Sequence, residues 1–434
     1  MPTPLQEPDA VLLKRIRTVS SLGILLDGYN LSVIAVALVP LTRQFHLTPA
    51  TTGLLASSML LGSIVGGLGA GILADRFGRK TLLMGDLIIF MIFSLLSSVV
   101  LNYHWLILFR FVVGLAVGAD YAISPTYLAE FAPDKTRGYH LGYVWLAWSV
   151  GAVLNFALGA VLVTTLPPQL SWRILFAIAI VPAGFGLFLR QQLPESPRWL
   201  QYGSTANTAH PTSLMATSQS KSLGQAWRLS LIPWFLMDFS TYGLGLLLPV
   251  LLKSTGLTST AGAILGTGLA ALCGGFGSLW AMRHLDSTGR IVLQVRGFLL
   301  SGLGLWLLAA LLWMDFTLFI VLLGGLMMVN LFNSTGPGTT TGIIPAEIFP
   351  TPMRATALGV ATAVSRIGAV AGVFVLGFID SRYGLGAVLA VAGSVALSGS
   401  LLSWIWRIEP NQNALPDMKE QTARLIDHSL LPND

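Results

Sequence analysis

Five ionisable residues lie well inside long apolar runs of this sequence, away from the run ends: Asp27, Asp120, Asp238, Arg110 and Arg366. A charge at mid-bilayer costs roughly 2.5–3.5 kcal/mol on insertion scales, so residues of this kind mark function by default. None of the six His residues falls in the middle of a run, which leaves carboxylates as the expected proton carriers. A carboxylate in a dry helix bundle can hold a proton and release it when its surroundings open to water. Asp27, Asp120 and Asp238 are the candidates. Arg366 stays charged at any working pH and must meet a carboxylate or an anionic ligand. Arg110 lies over two turns before Asp120 on another face of its helix, where locking helices and meeting a substrate are equally open. Asp86, near the start of a run, is accounted for by an interfacial position, and Cys273 by packing.

The spacing of Trp234, Asp238 and Tyr242 is i, i+4, i+8, which places them in one column on a helix face. An aromatic wall, an acceptor and a phenol in a row make a polar binding strip; an aromatic packing stripe that includes an Asp is the alternative. Asp120 and Tyr121 stand in Gly118-Ala-Asp-Tyr-Ala-Ile-Ser124-Pro125, a helix expected to be loosened by Pro125. A different chemistry is implied by Gly71-Ile-Leu-Ala-Asp75-Arg76-Phe-Gly78-Arg79-Lys80. A carboxylate at a helix end, a tight Gly turn and several cations can latch neighbouring helix ends, and breaking such a latch switches between two states.

Other chemistries lack their residues. There is no Gly-x4-Gly-Lys-Ser/Thr run for nucleotide phosphates, no His/Cys cluster for a metal and no Ser-His-Asp arrangement for hydrolysis. The sequence therefore reads as that of a protein that is not an enzyme and needs no cofactor. The formal charge of +6 is spread over loops between apolar runs, which points to topology rather than nucleic acid.

Helices that cross a membrane must position these groups. Hydrophobic residues make up 54% of 434 positions and charged residues 10%, against roughly 25% charged in soluble domains; mean hydropathy is +0.73. One Cys rules out an internal disulfide framework, and no cleavable signal peptide opens the chain. Runs long enough to cross ~30 Å of hydrocarbon fall near 17–40, 53–74, 82–101, 103–127, 139–163 and 172–190, then near 228–252, 259–282, 292–313, 316–343, 356–379 and 384–406. In lipid such runs are helices, because open strand edges would go unpaired. The fold class is thus all-α, with twelve transmembrane helices. Lys and Arg collect on one side, from Lys14, Arg15 and Arg17 through Arg76, Arg79, Lys80, Arg137, Arg190, Arg290 and Arg354 to Arg407. The positive-inside rule then puts both termini in the cytoplasm, for a multi-pass protein of the inner membrane.

The chain also repeats itself. Asp75, Gly78 and Arg79 recur 211 positions on as Asp286, Gly289 and Arg290, and Asp27 recurs at the same offset as Asp238. Glu130, Pro133 and Arg137 recur as Glu347, Pro350 and Arg354, 217 positions on. Each repeat begins on the same side, so the two six-helix bundles are parallel repeats, an architecture that binds substrate between halves near the midplane. The organisation expected is a bundle over 1–200, a cytoplasmic linker over 201–227, a bundle over 228–410 and a cytoplasmic tail over 411–434. Small residues at Gly62, Gly66 and Ala70 in span two and at Gly262, Gly266, Ala270 and Gly274 in span eight allow close helix approach.

These motifs resemble a known group. Gly71–Lys80, Arg110…Gly114…Gly118, Tyr127-Leu-Ala-Glu130…Arg137-Gly138, Pro194-Glu-Ser-Pro-Arg-Trp199 and Pro345-Ala-Glu-Ile-Phe-Pro350…Arg354 are similar to the major facilitator superfamily, near its sugar-porter-like branches. The resemblance covers nearly the whole chain. Asp27-Gly-Tyr, Gly118-Ala-Asp120-Tyr121, Trp234…Asp238…Tyr242-Gly243 and Gly336-Pro-Gly-Thr-Thr-Thr341 look most like the phosphate:proton symporters. That resemblance implies that Tyr121, Trp234, Asp238 and Tyr242 line a substrate site, with Asp27 and Asp120 serving proton transfer. The loop motif and its recurrence in the second half point to a gating set of Asp75, Arg76, Arg79, Glu130, Arg137, Asp286, Arg290, Glu347 and Arg354. The sequence departs from the pattern at Asn30, where a second Asp is usual, at Trp148 for a Gln, at Gly338 for an Asn and at Arg366 for a Lys. Arg407-Ile-Glu409-Pro410 replaces the sugar-porter ending.

The expectation is a proton-coupled symporter of a small anion, with inorganic phosphate as the best single candidate and Trp148 and Arg366 joining the substrate site. The partners are the anion, protons and the lipid bilayer, the working unit a monomer. A carrier of a sugar or organic acid is the rival; few Gln and Asn residues in spans five, seven and ten count against a sugar. A non-transporting membrane sensor is the rival from another class, but it would be expected to add a soluble output domain.

Overall fold

A computed structural model describes residues 9–206, 221–254, 260–315, 319–413 and 415–416. Ten helical stretches among them are long and apolar enough to cross a membrane. The helix Lys221–Ser254 adds an eleventh. The last stretch, Thr351–Ile405, counts twice, because Gly384 at φ 76° and ψ 176° breaks its helical course. The chain therefore carries the twelve spans of an all-helical membrane fold. Its outer faces expose large apolar residues such as Val65, Ile72, Phe185 and Phe276, as a lipid-facing surface requires.

Several spans are not simple rods. Span six is two helices, Pro168–Ile178 and Ile180–Gln191. Span ten stops at Thr335, turns through Gly336 and Pro337, and continues as the short helices Pro337–Thr340 and Ile344–Ile348. Irregular backbone at membrane depth is tolerated where it is buried in protein or lines a cavity, and Ser334 and Gly338 at this break do line one. Thr340 is tied to Gln294 of span nine at 2.8 Å, and Gln294 to Ser403 of span twelve at 2.8 Å. Span four differs from expectation. The helix Tyr103–Phe131 runs unbroken through Pro125, because packing on all sides buries the whole stretch from Val113 to Phe131 apart from its Leu115 side.

The halves meet along two seams, span two against span eleven and span five against span eight. At the first, Gly67 and Gly359 touch backbone to backbone, and a Cβ on Gly359 would overlap the Gly67 carbonyl. The ladder residues Gly62 and Gly66 instead face span four, so the small residues of span two serve both of its neighbours.

The expected linker 201–227 is helical at both ends, over Pro197–Ala206 and from Lys221 onward; its residues 207–220 lie outside the described ones. Span seven starts seven residues earlier than its apolar run because Ala226 and Leu229 pack against Ile344, Phe349 and Met353 beyond the apolar zone. Of the expected tail, 411–413 and 415–416 are described, and they are docked: Gln412 donates to the Asp286 carbonyl at 2.9 Å, and Leu415 is buried.

Candidate substrate cavity and charged centres

Positively charged loops collect at one end of the bundle, called here the basic end, and there the halves are joined by a nearly two-fold set of bonds. Helix N-termini leave backbone N–H groups unpaired and favour nearby negative charge. Carboxylates fill that role four times. Within each half, Glu195 accepts from the amides of Arg79 and Lys80, and Glu409 from those of Arg290 and Ile291. Between halves, Asp75 accepts from the Thr356 amide at 2.7 Å, and Asp286 from Gly138 and Tyr139 at 2.9 and 2.8 Å.

Cations complete the network. Arg79 pairs with Asp75 at 2.9 Å and Glu130 at 3.1 Å, and donates across the seam to the Thr351 carbonyl at 3.0 Å. Its repeat counterpart Arg290 pairs with Asp286 at 3.0 Å and Glu347 at 2.8 Å. Arg354 reaches Glu130 at 3.2 Å and Arg137 reaches Glu347 at 3.8 Å, each from the opposite half. Arg137 also binds Asp134 and the Asn413 carbonyl. Of the nine residues expected to gate, eight stand in this network. Arg76 does not: it is exposed, with its guanidinium over the Phe77 ring, because the helix turns its side chain to the outer face.

Midway along the spans lies a cavity of about 220 Å³. Arg366 and Asp238 form an ion pair of 2.7 Å in its wall, both 1% exposed. The Arg366 guanidinium stands over the Tyr121 ring at 4.4 Å and the Tyr242 ring at 5.2 Å, so the cation is held by one carboxylate and two π faces. Tyr121, Trp145 and Trp234 form a cluster with centroids 5.5–6.4 Å apart. Beyond it the lining includes Trp148, Phe156, Asn330 and Asn333. The column Trp234–Asp238–Tyr242 does face this space, as do Tyr121, Trp148 and Arg366. Trp145 was not singled out in the sequence. It lines the cavity from span five and lies so close to Gly342 of span ten that a Cβ there would overlap its ring. The indole N–H groups of Trp145 and Trp148 are buried without a partner among the described residues.

Asp27 and Asp120 are not among the residues lining the cavity. Asp120 pairs with Arg190 at 2.7 Å, and so does Asp86. Arg190, counted by sequence among the loop cations, is 1% exposed. It closes an apolar run whose last turn folds inward, where it donates to Asp86, Asp120 and the Leu83 carbonyl. Asp86, near the start of span three, is likewise buried. Among the described residues Arg110 meets no carboxylate; it donates to the Asn30 side chain at 3.1 Å and backbone at 2.8 Å, and stands over Phe176. The Arg110 cation is thus locked to span one through a neutral partner, Asn30. Glu195 and Glu409 were also missed, although each adjoins a Pro at nearly the repeat offset.

The model of the family described as sugar (and other) transporter matches residues 16–226 and 202–418. The inner membrane metabolite transport protein YgcS of Escherichia coli is 31% identical, with 90% of each chain covered. The probable inorganic phosphate transporter 1-9 of Arabidopsis thaliana is 26% identical over 93% of this chain and 92% of its own. Among solved structures, the major facilitator proton:xylose symporter XylE superposes with a TM-score of 0.80 at 23% identity, covering 95% of this chain and 100% of that one. These relatives are transporters and not enzymes. The chain belongs to the sugar (and other) transporter family, as a multi-pass membrane protein with the fold of the major facilitator symporter XylE.

Proposed function

We propose that this transporter is a proton-coupled symporter of a small organic anion, a carboxylate borne on an apolar body. The observation that carries this reading is the Arg366–Asp238 pair set in the aromatic wall of the cavity. The pair is neutral as it stands, and the guanidinium is already engaged. An incoming carboxylate competes for Arg366 with Asp238, and it wins when Asp238 takes up a proton. Anion and proton then enter together, and the buried charge stays balanced; a buried pair broken without such compensation costs roughly 3–5 kcal/mol. The rings of Tyr121, Trp145, Trp148 and Trp234 suit the apolar body, and the free indole N–H groups suit its second acceptor. In this reading Asp27 and Asp120 serve proton transfer, the halves 1–200 and 228–410 rock about the cavity as a monomer, and both termini face the cytoplasm.

Phosphate is the second reading, favoured by the Arabidopsis relative named for it. Phosphate wants donors on all sides, whereas Trp148 and Gly338 replace two amides of the phosphate pattern. A sugar fits less well, since it has no use for a buried cation. The test is counterflow in proteoliposomes with phosphate, sulfate, aliphatic and aromatic carboxylates, and hexoses. Carboxylates are expected to exchange, an inward proton gradient to accelerate uptake, and a protonophore to cancel that acceleration. Exchange of hexoses alone, or uptake that follows sodium and ignores protons, would overturn the reading.

A further inference from the structure

The first half contains a second charged centre, set apart from the cavity. Arg190 of span six sits between Asp86 of span three and Asp120 of span four, at 2.7 Å from each. Ser124 donates to Asp120 at 2.7 Å. Asp27 of span one lies within electrostatic reach of Asp86, Asp120 and Arg190, and of Arg366 across the seam. One turn before it, Gly23 makes room for the cluster, because a Cβ at this position would overlap Asp120 Oδ2 and Arg190 Nη2. All four ionisable residues are at most 5% exposed, and Oδ2 of each of the three carboxyl groups is buried without a partner.

The charges do not balance. Three carboxyl groups share one guanidinium. The other charged or titratable neighbours are Arg366, already paired with Asp238, and Tyr121 at the seam, with Lys80 and Tyr127 toward the basic end. Fully ionised, the centre would hold two uncompensated negative charges away from water, and each such charge costs several kcal/mol. A lone-pair oxygen without a donor on each carboxyl is where a proton fits.

We infer that Asp27, Asp86 and Asp120, held around Arg190, form a proton-storage centre in the first half, separate from the substrate cavity and from the Asp238 that takes up a proton there. Asp86 and Arg190 are the new members: Asp86 binds a proton, and Arg190 positions the carboxyl groups. Lys80, Leu83, Tyr127 and Leu193 surround a crevice beside Arg190 that is too narrow to hold water. The centre's role in transport rests on the proton-coupled reading above; its protonation does not.

Infrared titration of the reconstituted protein tests the two separately, because a protonated carboxylic acid has its own carbonyl stretch. At neutral pH the wild type is expected to show that stretch, and Asp86→Asn to lose part of it. Asp27→Asn, which leaves both Arg190 pairs in place, is expected to lose a similar part and serves if Asp86→Asn fails to insert. In liposomes both variants should still perform counterflow but lose proton-driven accumulation. Gly23→Ala, which crowds Asp120 and Arg190, should shift the titration without removing a group. A wild type with no protonated band, or a band unchanged in both Asn variants, overturns the centre. Accumulation at the wild-type level in both variants overturns its role in coupling. A band that behaves as expected in a protein whose uptake ignores the proton gradient overturns the proton-coupled reading alone.

Discussion

The two halves of this transporter repeat the same motifs, yet their charged centres are built differently. The second half holds a balanced pair, Arg366 with Asp238, in the wall of the cavity and under aromatic rings. The first half holds one cation and three carboxyl groups, away from the cavity. At the basic end the same halves carry corresponding ion pairs: Asp75 answers to Asp286, Arg79 to Arg290 and Glu130 to Glu347. The difference has a physical basis. In the proposed reading, a latch that opens both halves alike keeps its parts duplicated. A binding site needs a cation that an anion can capture and a proton store needs spare carboxylate, and in that reading these roles fall to different halves.

The sharpest way to break this comparison is to remove one cation. Arg366→Gln leaves Asp238 buried without its partner, a change worth roughly 3–5 kcal/mol. Binding of an anionic substrate is expected to fall by at least a hundredfold, read by isothermal titration on purified protein. Arg366→Lys should retain part of the activity, since it keeps the charge but not the fork. Full activity in the Gln variant would mean that the pair is structural. Paired variants then sort the two centres. Asp238→Asn should insert normally, lose concentrative uptake, and bind the anion more tightly with a flattened pH response, because Arg366 is released. Asp27→Asn should lose concentrative uptake yet bind nearly as well as wild type. Binding titrations over a range of pH decide this; the reverse pattern would exchange the roles of the halves.

A smaller effect is expected at the latch, where the halves are alike. Asp75→Asn keeps an acceptor for the Thr356 amide but loses the charge that pairs with Arg79. Hydrogen bonds to charged groups contribute roughly 1.5–3 kcal/mol, so the state closed at the basic end loses stability and the cycle slows. Asp286→Asn should do the same to a similar degree, as it caps span five just as Asp75 caps span eleven. Exchange rate and affinity are measured separately. A large loss of affinity with normal exchange in either variant contradicts the latch.

Sequence made the spans and the latch legible because both depend on patterns along the chain: apolar length for the one, residue types at a fixed repeat offset for the other. The column Trp234–Asp238–Tyr242 was legible for the same reason, as three residues on one helix face. What stayed hidden depends on partners brought together from distant spans. Arg190 looks like any loop cation until span six folds it inward against Asp86 and Asp120, 104 and 70 positions away. Arg366 called for a carboxylate, but nothing along the chain chose Asp238 over Asp27 or Asp120. Trp145 was indistinguishable from a lipid-facing aromatic until Gly342, on a broken stretch of span ten, accepted its ring. Positive charge also misled at Arg76, whose place beside Arg79 in sequence conceals that they face opposite ways.

The smallest expected effect bears on what the cavity holds besides charge. Trp145 comes from the first half and the Arg366–Asp238 pair from the second, and Tyr121 touches both, with its ring 5.5 Å from that of Trp145 and under the Arg366 guanidinium. A substrate lying between the halves would therefore meet the cation on one side and the unpaired Trp145 N–H on the other. Trp145→Phe keeps an aromatic ring against Gly342 but deletes the donor. A neutral hydrogen bond contributes roughly 0.5–1.5 kcal/mol net, so affinity should fall about two- to tenfold for an anion with a second acceptor. For an anion whose body is purely hydrocarbon it should hardly change. The comparison is made with two carboxylates that differ only by a ring nitrogen or hydroxyl, measured by titration against wild type and Trp145→Phe. Equal losses for both would assign Trp145 to packing at the seam; a loss confined to the heteroatom-bearing ligand would make the first half a reader of substrate identity, while the second half reads its charge.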